Sequence, residues 1–387
     1  MWQITEDYQW DTLRRRFNWV RDMQGVSQDP AFHAEGDVAT HTRMAIEALQ
    51  ELDDFKDLPE QEQHILLAAT LLHDVEKRST TVKEADGRIS SIGHAKKGEL
   101  TSRSILYMDV PAPFPLREQI AKLVRHHGLP LWVFNSEDPR KAVIQASLEV
   151  DTHLLSVLAK ADVLGRVYND KEDLLYRIEL FSELCREHNC YGKPREFVDA
   201  FSRFFYLQRE EVAPDYHAYN DTKFRVILMS GLPGAGKDMY INFNLSDWPV
   251  ISPDELRLEM KIKPNNKSGK GKVMQRAKEK AKEYMRSRTS FIWNSANITR
   301  LTRQPLIELF LSYGAYVKII YVEVPFSMLQ EQNRNRELAA TPAAMVKMLG
   351  KMEVPAVTEA HEVEYIISEI PPTPEEETLP TTPPEEE

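Results

Sequence analysis

The sequence predicts a multidomain chain, with an all-α domain followed by an α/β domain built on a parallel sheet. Three observations predict it. The apolar period is helical almost without interruption to about residue 205. A glycine-rich loop then follows directly on a short β-rich run at 224–229. Further β-rich runs alternate with helical stretches beyond it. With 387 residues, 42% of them apolar, there is material for two independent cores.

In the first part, Val38, His41, Ala45, Ala48, Leu49 and Leu52 share one face of a helix that begins near Asp37. A second apolar helix spans 59–73, with Pro59 in its first turn, and a third spans 116–127 and stops at Gly128. A fourth spans 147–165, and no strand is expected among them. The polar run 208–222 loses the period and predicts a linker. Runs 224–229, 291–294 and 316–324 are the expected strands. The boundaries are therefore 1–207 for the helical domain, 208–222 for the linker and 223–370 for the α/β domain. Residues 371–387 form an acidic tail with six Glu and no Lys or Arg, which predicts disorder.

The net charge of −11 excludes a protein that coats nucleic acid through a global basic field, but leaves room for a local groove. The start of the chain lacks the apolar core of a signal peptide. The longest apolar stretch, within 65–72, is far short of a membrane span. Cys185 and Cys190 form no CxxC pattern. Together these predict a cytoplasmic protein with reduced thiols and no membrane partner.

Ser230-Gly231-Leu232-Pro233-Gly234-Ala235-Gly236-Lys237 is the strongest signal. Backbone N–H groups from Gly231, Gly234, Ala235 and Gly236 can curl round a phosphate, and Lys237 can reach the outer phosphates. That predicts binding of ATP or another NTP with Mg²⁺ or Mn²⁺. Asp238 stands where a Ser or Thr hydroxyl normally holds the ion, which makes its carboxylate a candidate ligand. A short strand then runs into Asp254-Glu255-Leu256-Arg257, where an acceptor hydroxyl would need a base and its phosphate an anchor. Residues 261–282 hold nine Lys or Arg against one Glu. They read either as a solvated loop and helix face or as a mobile clamp on a polyanion. Gln332-Asn333-Arg334-Asn335-Arg336 offers Arg334 and Arg336 as lid arginines for transition-state phosphate charge.

GLPGAGK, DELR, WNSANITR and the later arginine-rich segment resemble the polynucleotide 5′-kinase branch of P-loop phosphotransferases, over about residues 224–370. The resemblance implies that Asp254 is the general base for the 5′-hydroxyl. It implies that Arg257 grips the substrate's 3′-side phosphate and that Arg334 or Arg336 is the lid arginine. The family's Asp-Asp-Thr-Asn run stands here as Asn294-Ser295-Ala296-Asn297, a departure that bears on the metal arrangement.

In the helical part, His41, His73-Asp74, His94, His126-His127 and Asp162 each lie on or beside an apolar helical surface. Ile120, Leu123, Val124 and His127 fall at helical spacing, so His127 faces the core and His126 does not. Burying an ionised aspartate is costly unless it is paired or bound to metal. The set His41, His73, Asp74, His94, His127 and Asp162 therefore predicts one or two divalent transition-metal ions, with Asp74 able to bridge them. Lys77, one turn beyond His73, and Arg166, one turn beyond Asp162, would bring positive charge to a phosphate. His33, in FHAEGDVATHT, is a further candidate ligand or phosphate contact.

The order His41, His73-Asp74, Asp162, with GHAKKGE and AKADVLGR, resembles the HD phosphohydrolase superfamily. An HD module before a polynucleotide kinase resembles the bacterial HD-Pnk end-healing enzymes of RNA and DNA repair. That resemblance implies two activities: removal of 2′,3′-cyclic, 2′- or 3′-phosphates, and ATP-dependent phosphorylation of 5′-OH ends. It implies RNA or DNA ends as substrates and a polynucleotide ligase acting downstream. The alternative is a nucleotide phosphohydrolase fused to a nucleoside or small-metabolite kinase, which would phosphorylate a nucleoside as readily as an oligonucleotide.

Overall fold

The computed structural model describes residues 1–263, 266–335 and 339–368, with Lys267 described in its backbone only. Arg336, the acidic tail and the last two residues of the expected α/β domain lie outside the described residues.

The first part is a helical assembly around one apolar core. Asp37 accepts the Thr40 N–H and starts the helix Val38–Glu51, whose Ile46 and Leu49 face inward. Pro59 caps the helix Glu60–Leu72 from outside rather than sitting in its first turn. The helix Phe114–His126 begins two residues earlier than its periodicity suggested, with a proline in its first turn where the missing N–H costs nothing. The helix expected over 147–165 is two helices, Pro139–Ser147 and Thr152–Leu164. Asp151 causes the break: its side chain accepts the N–H groups of His153 and Leu154 and so begins a new helix. A two-stranded antiparallel hairpin, β1 (Val82–Lys83) with β2 (Ile89–Ser90), corrects the expectation that no strand occurs here.

One close crossing governs this core. A Cβ on Gly165 would lie 2.6 Å from the backbone N and Cα of Ala45. The end of Thr152–Leu164 therefore sits directly on Val38–Glu51, with no side chain between them.

The C-terminal part holds a five-stranded sheet in the order β4-β5-β3-β6-β7, every pair parallel. Its strands are β3 (Phe224–Ser230), β4 (Val250–Ile251), β5 (Phe291–Trp293), β6 (Ala315–Glu323) and β7 (Glu362–Ile367). The central strands are near-continuous apolar runs because both faces are covered. The edge strand β7 was not foreseen. Its sequence, EVEYII, alternates carboxylates with apolar residues, and Lys318 of β6 holds Glu364 at 2.7 Å. No single helix is long and apolar enough to cross a membrane among the described residues.

The two parts share a buried junction. Arg117 meets Glu323 through two bonds of 2.8 and 2.9 Å. Arg103 donates to the Met352 carbonyl at 3.0 Å, and the Tyr107 hydroxyl donates to that of Val324 at 2.5 Å. Tyr107 and Phe114, from the helical part, pack into the apolar cluster on one face of the sheet. The expected linker is not free either: Ala218 is buried against Phe201 and Tyr316.

Candidate metal centre and phosphate-binding loop

Five helices converge on one buried polar cluster. His41 comes from the second turn of Val38–Glu51, and His73 and Asp74 follow Glu60–Leu72. His94 opens His94–Met108, His127 follows Phe114–His126, and Asp162 lies in Thr152–Leu164. The atoms form two groups. In one, His41 Nε2 lies 3.1 Å from Asp162 Oδ1, 3.7 Å from Asp74 Oδ2 and 3.3 Å from His73 Nε2. His73 Nε2 is 3.2 Å from the same Asp74 Oδ2. In the other, Asp74 Oδ1 faces His94 Nε2 at 3.4 Å and His127 Nε2 at 4.0 Å, with the two imidazole nitrogens 3.3 Å apart.

The backs of these rings decide what their fronts can do. His73, His94 and His127 each place Nδ1 2.7 to 2.8 Å from the carbonyl three residues earlier. A carbonyl only accepts, so each Nδ1 carries the proton, and a neutral ring then leaves a lone pair on Nε2. Burial first, then the neighbouring His73 and His94, push His127 down to about 3, so its ring is neutral at physiological pH. Lone pairs facing each other at 3.3 Å repel unless a cation lies between them. Asp74 Oδ1, fully buried, has no hydrogen-bond partner among the described residues. The residues present therefore fit two divalent ions: His41, His73, Asp74 and Asp162 would hold one, and Asp74, His94 and His127 the other. A mixed imidazole and carboxylate set suits a transition metal.

The expected phosphate-binding cations lie elsewhere in their bonding. Lys77 Nζ sits 2.7 Å from Asp74 Oδ2 and 2.8 Å from Gln28 Oε1. Arg166 forks onto Asp162 at 3.0 and 2.5 Å. Burial raises the Asp74 carboxyl, but Lys77 and His73 outweigh it and hold it well below the usual range. Arg166 and His41 do the same for Asp162. His126 faces Glu149 at 3.6 Å and turns away from the cluster. His33 lies edge-on to His41, ring centres 4.9 Å apart, with its Nδ1 on Glu35, and burial pushes it down to about 4. Glu35 and Gln28 escaped sequence reading. Both lie in a loop, where no helical period assigns a side chain to the interior.

In the second part, β3 ends at Ser230 and the loop turns through Gly231, where a Cβ would lie 2.4 Å from the Val322 carbonyl. No other residue fits there. Lys237 Nζ reaches back to the carbonyls of Gly231 and Leu232, 2.9 Å each. Asp238 accepts from Asn294 Nδ2 at 2.6 Å, so the first turn of Lys237–Asn244 meets the end of β5. Asp254, exposed in the first turn of Pro253–Glu259, pairs with Arg257 at 2.9 Å. Arg334 ends Phe326–Arg334 and is exposed, while its neighbour Asn333 is buried and clasps Ala340 through both amide atoms. A Cβ on Gly234 would lie 3.2 Å from the Asn333 backbone N, which places the loop beside that arginine-bearing helix end. The basic run is mostly helix, Lys267–Arg286: Val273, Ala277 and Ala281 face inward, while Lys270, Lys272 and Arg276 are exposed.

Residues 226–355 match a protein family described as an AAA domain. The C-terminal part is a P-loop kinase-like domain. Such a domain implies the use of a nucleotide and Mg²⁺. Among solved structures, a candidate kinase from Chloroflexus aurantiacus is 15% identical, with a TM-score of 0.33, covering 38% of this chain and 86% of that one. That likeness is too slight to build on. No curated protein matches the chain.

In the kinase-like domain the loop N–H groups, Lys237 and the helix behind them can hold nucleotide phosphates. Asp254 and Arg257 stand together as candidate base and anchor. Buried Arg303 was missed by sequence reading: it forks onto Glu359 at 2.7 Å and donates to the Asn297 carbonyl at 3.0 Å, which steadies the loop beyond β5.

Proposed function

We propose that the chain heals broken nucleic-acid ends. Its helical part is an HD-type phosphohydrolase that removes 2′,3′-cyclic, 2′- or 3′-phosphates. Its kinase-like domain is a polynucleotide kinase that phosphorylates 5′-OH ends with ATP. The observation that carries this reading is the pair of facing imidazole couples bridged by one buried aspartate. Bound ions there would supply an activated water and counter-charge for phosphoryl oxygens. Asp74 and Asp162 would orient the ions, and Lys77 and Arg166 would fix those carboxylates and keep them ionised. A phosphate-removing centre beside a phosphate-adding one gives both ends of a break the chemistry that ligation requires. The exposed cations of Lys267–Arg286 favour a polyanionic substrate over a nucleoside. On this reading the protein works in the cytoplasm, upstream of a polynucleotide ligase.

The test is an RNA bearing a 5′-OH and a 2′,3′-cyclic phosphate, incubated with protein, ATP, Mg²⁺ and Mn²⁺. Both ends should be converted. After chelation and return of Mg²⁺ alone, 5′ phosphorylation should persist and phosphate release should stop. His73→Ala should behave like the stripped protein. Phosphorylation of nucleosides without oligonucleotides would instead select the small-metabolite reading. Absence of phosphate release with Mn²⁺, Co²⁺, Ni²⁺ and Zn²⁺ in turn would overturn the HD half.

A further inference from the structure

His41 is the one ring of the metal cluster that cannot use a backbone carbonyl behind it. His73 and His127 each follow a helix, where the last carbonyls lack partners in the helix itself. They take those of Thr70 and Val124, and His94 takes the loop carbonyl of Ser91. His41 stands in the second turn of Val38–Glu51, where the carbonyl three residues earlier belongs to the helix's own ladder. Its Nδ1 makes no hydrogen bond among the described residues, and the carboxylate it faces is Glu35, with Oε1 in ion-pair contact at 3.1 Å.

Glu35 is held as firmly as the ring it faces. Its side chain is 1% exposed. Oε1 also accepts from His33 Nδ1 at 2.7 Å, and Oε2 accepts the Val167 N–H at 2.8 Å. The Ala34 N–H bonds the Val167 carbonyl at 3.1 Å, so the loop and the segment after Asp162 are tied in both directions. A buried carboxylate is costly without partners, and those beside Glu35 are the imidazoles of His33 and His41 and the chain that leads out of the Asp162 helix.

We infer that Glu35 is a positioning residue for the first metal site, fixing His41 with Nε2 toward the ion and holding the Asp162 segment against it. The inference rests on the metal-centre half of the proposed function. Through its charge, Glu35 makes the His41 ring a stronger donor than a neutral carbonyl would. Among the described residues, no hydrogen bond or ion pair joins Glu35 to the second-site ligands His94 and His127.

The test is metal binding by full-length protein, read by Mn²⁺ titration, by Co²⁺ absorption and by bound-metal stoichiometry. Wild type should bind two ions. Glu35→Gln keeps one carbonyl oxygen and should weaken the first site by about tenfold, and Glu35→Ala by about a hundredfold, leaving the second site unchanged. The Co²⁺ absorption of the first site should shift in both variants. If both bind two ions with wild-type affinity and spectrum, Glu35 is not a positioning residue, even where metal-free melting temperatures fall. A wild-type protein that binds no transition metal would overturn the metal centre itself, a different outcome from the first.

Discussion

Asp238 and Asn294 meet at 2.6 Å beside the phosphate loop, a carboxylate on the helix and an amide at the strand end. The resembled kinases use the reverse, a hydroxyl on the helix and a carboxylate at the strand end. Here the negative charge stands on the helix side of that hydrogen bond, and the expectation to test is that the Asp238 carboxylate takes part in holding Mg²⁺. Asp238→Ala should raise the Mg²⁺ concentration needed for half-maximal phosphorylation about tenfold, through loss of one oxygen ligand. Unchanged activity across a Mg²⁺ titration would refute this. Lys237→Ala should abolish phosphorylation and leave phosphate release intact, and parallel loss of both in a folded protein would deny the sites their independence. At this scale the sequence was informative wherever a residue sat on a helix or in a fixed motif. The phase of Phe114–His126 separated His127 from His126 because neighbouring residues on a helix point about 100° apart. No such rule reaches Glu35 or Gln28, whose roles come from loop folding, nor Arg303, whose partners Glu359 and the Glu353 carbonyl lie 56 and 50 residues away.

Helix placement turns on Gly165. With no Cβ it lets the end of Thr152–Leu164 rest on the backbone of Ala45, one helical turn from His41, and this contact brings Asp162 within 3.1 Å of His41. Gly165→Ala meets backbone rather than a yielding side chain, so the helices must part. Overpacking of this kind costs about 1–3 kcal/mol. The expected result is a lower unfolding midpoint in denaturant together with weaker metal binding and slower phosphate release, and an unaltered kinase step. Equal stability and metal affinity in wild type and variant would show that the crossing is slack. Elements with a strong period were legible: Val38–Glu51, Glu60–Leu72 and the three central strands. The break at 148–151 was not, because the stretch is apolar on both sides and Asp151 mimics a member of the apolar stripe while acting as a cap. The edge strand β7 was hidden by its glutamates, which only make sense beside Lys318.

The whole molecule is joined through the same helices that carry the second metal pair. His94–Met108 holds His94 at one end and Arg103 and Tyr107 toward the other, and Phe114–His126 runs from Arg117 to His127. Their far ends are buried against the kinase-like domain. Arg103 is paired there with Glu99 at 2.9 Å and Glu118 at 2.8 Å, and Lys122 lies 3.1 Å from Glu99, with Arg125 at 3.8 Å. Burial raises the Glu99 carboxyl, but Arg103 and Lys122 outweigh it and bring it from 4.5 down to about 2. Burial also raises Glu118, which Arg103 and Arg117 then hold below its ordinary value. Below pH 4.5 the unfolded chain therefore binds protons that the folded one refuses. The stabilisation is whole above pH 4.5 and is lost as the pH falls toward about 2. For Glu99 alone the shift corresponds to roughly 3 kcal/mol at neutral pH. Glu99→Gln should lower stability by about that amount at pH 7 and flatten its dependence on pH between 4.5 and 2. Because Tyr107 and Phe114 complete the apolar face of the sheet, the junction should fail with both parts, giving a single unfolding transition. Chemical denaturation followed at several pH values by far-ultraviolet dichroism and by tryptophan fluorescence checks both expectations. Two separated transitions at pH 7 would show that the junction does not bind the helical part to the sheet, and a Glu99→Gln profile parallel to wild type would show that Glu99 gains nothing from Arg103 and Lys122.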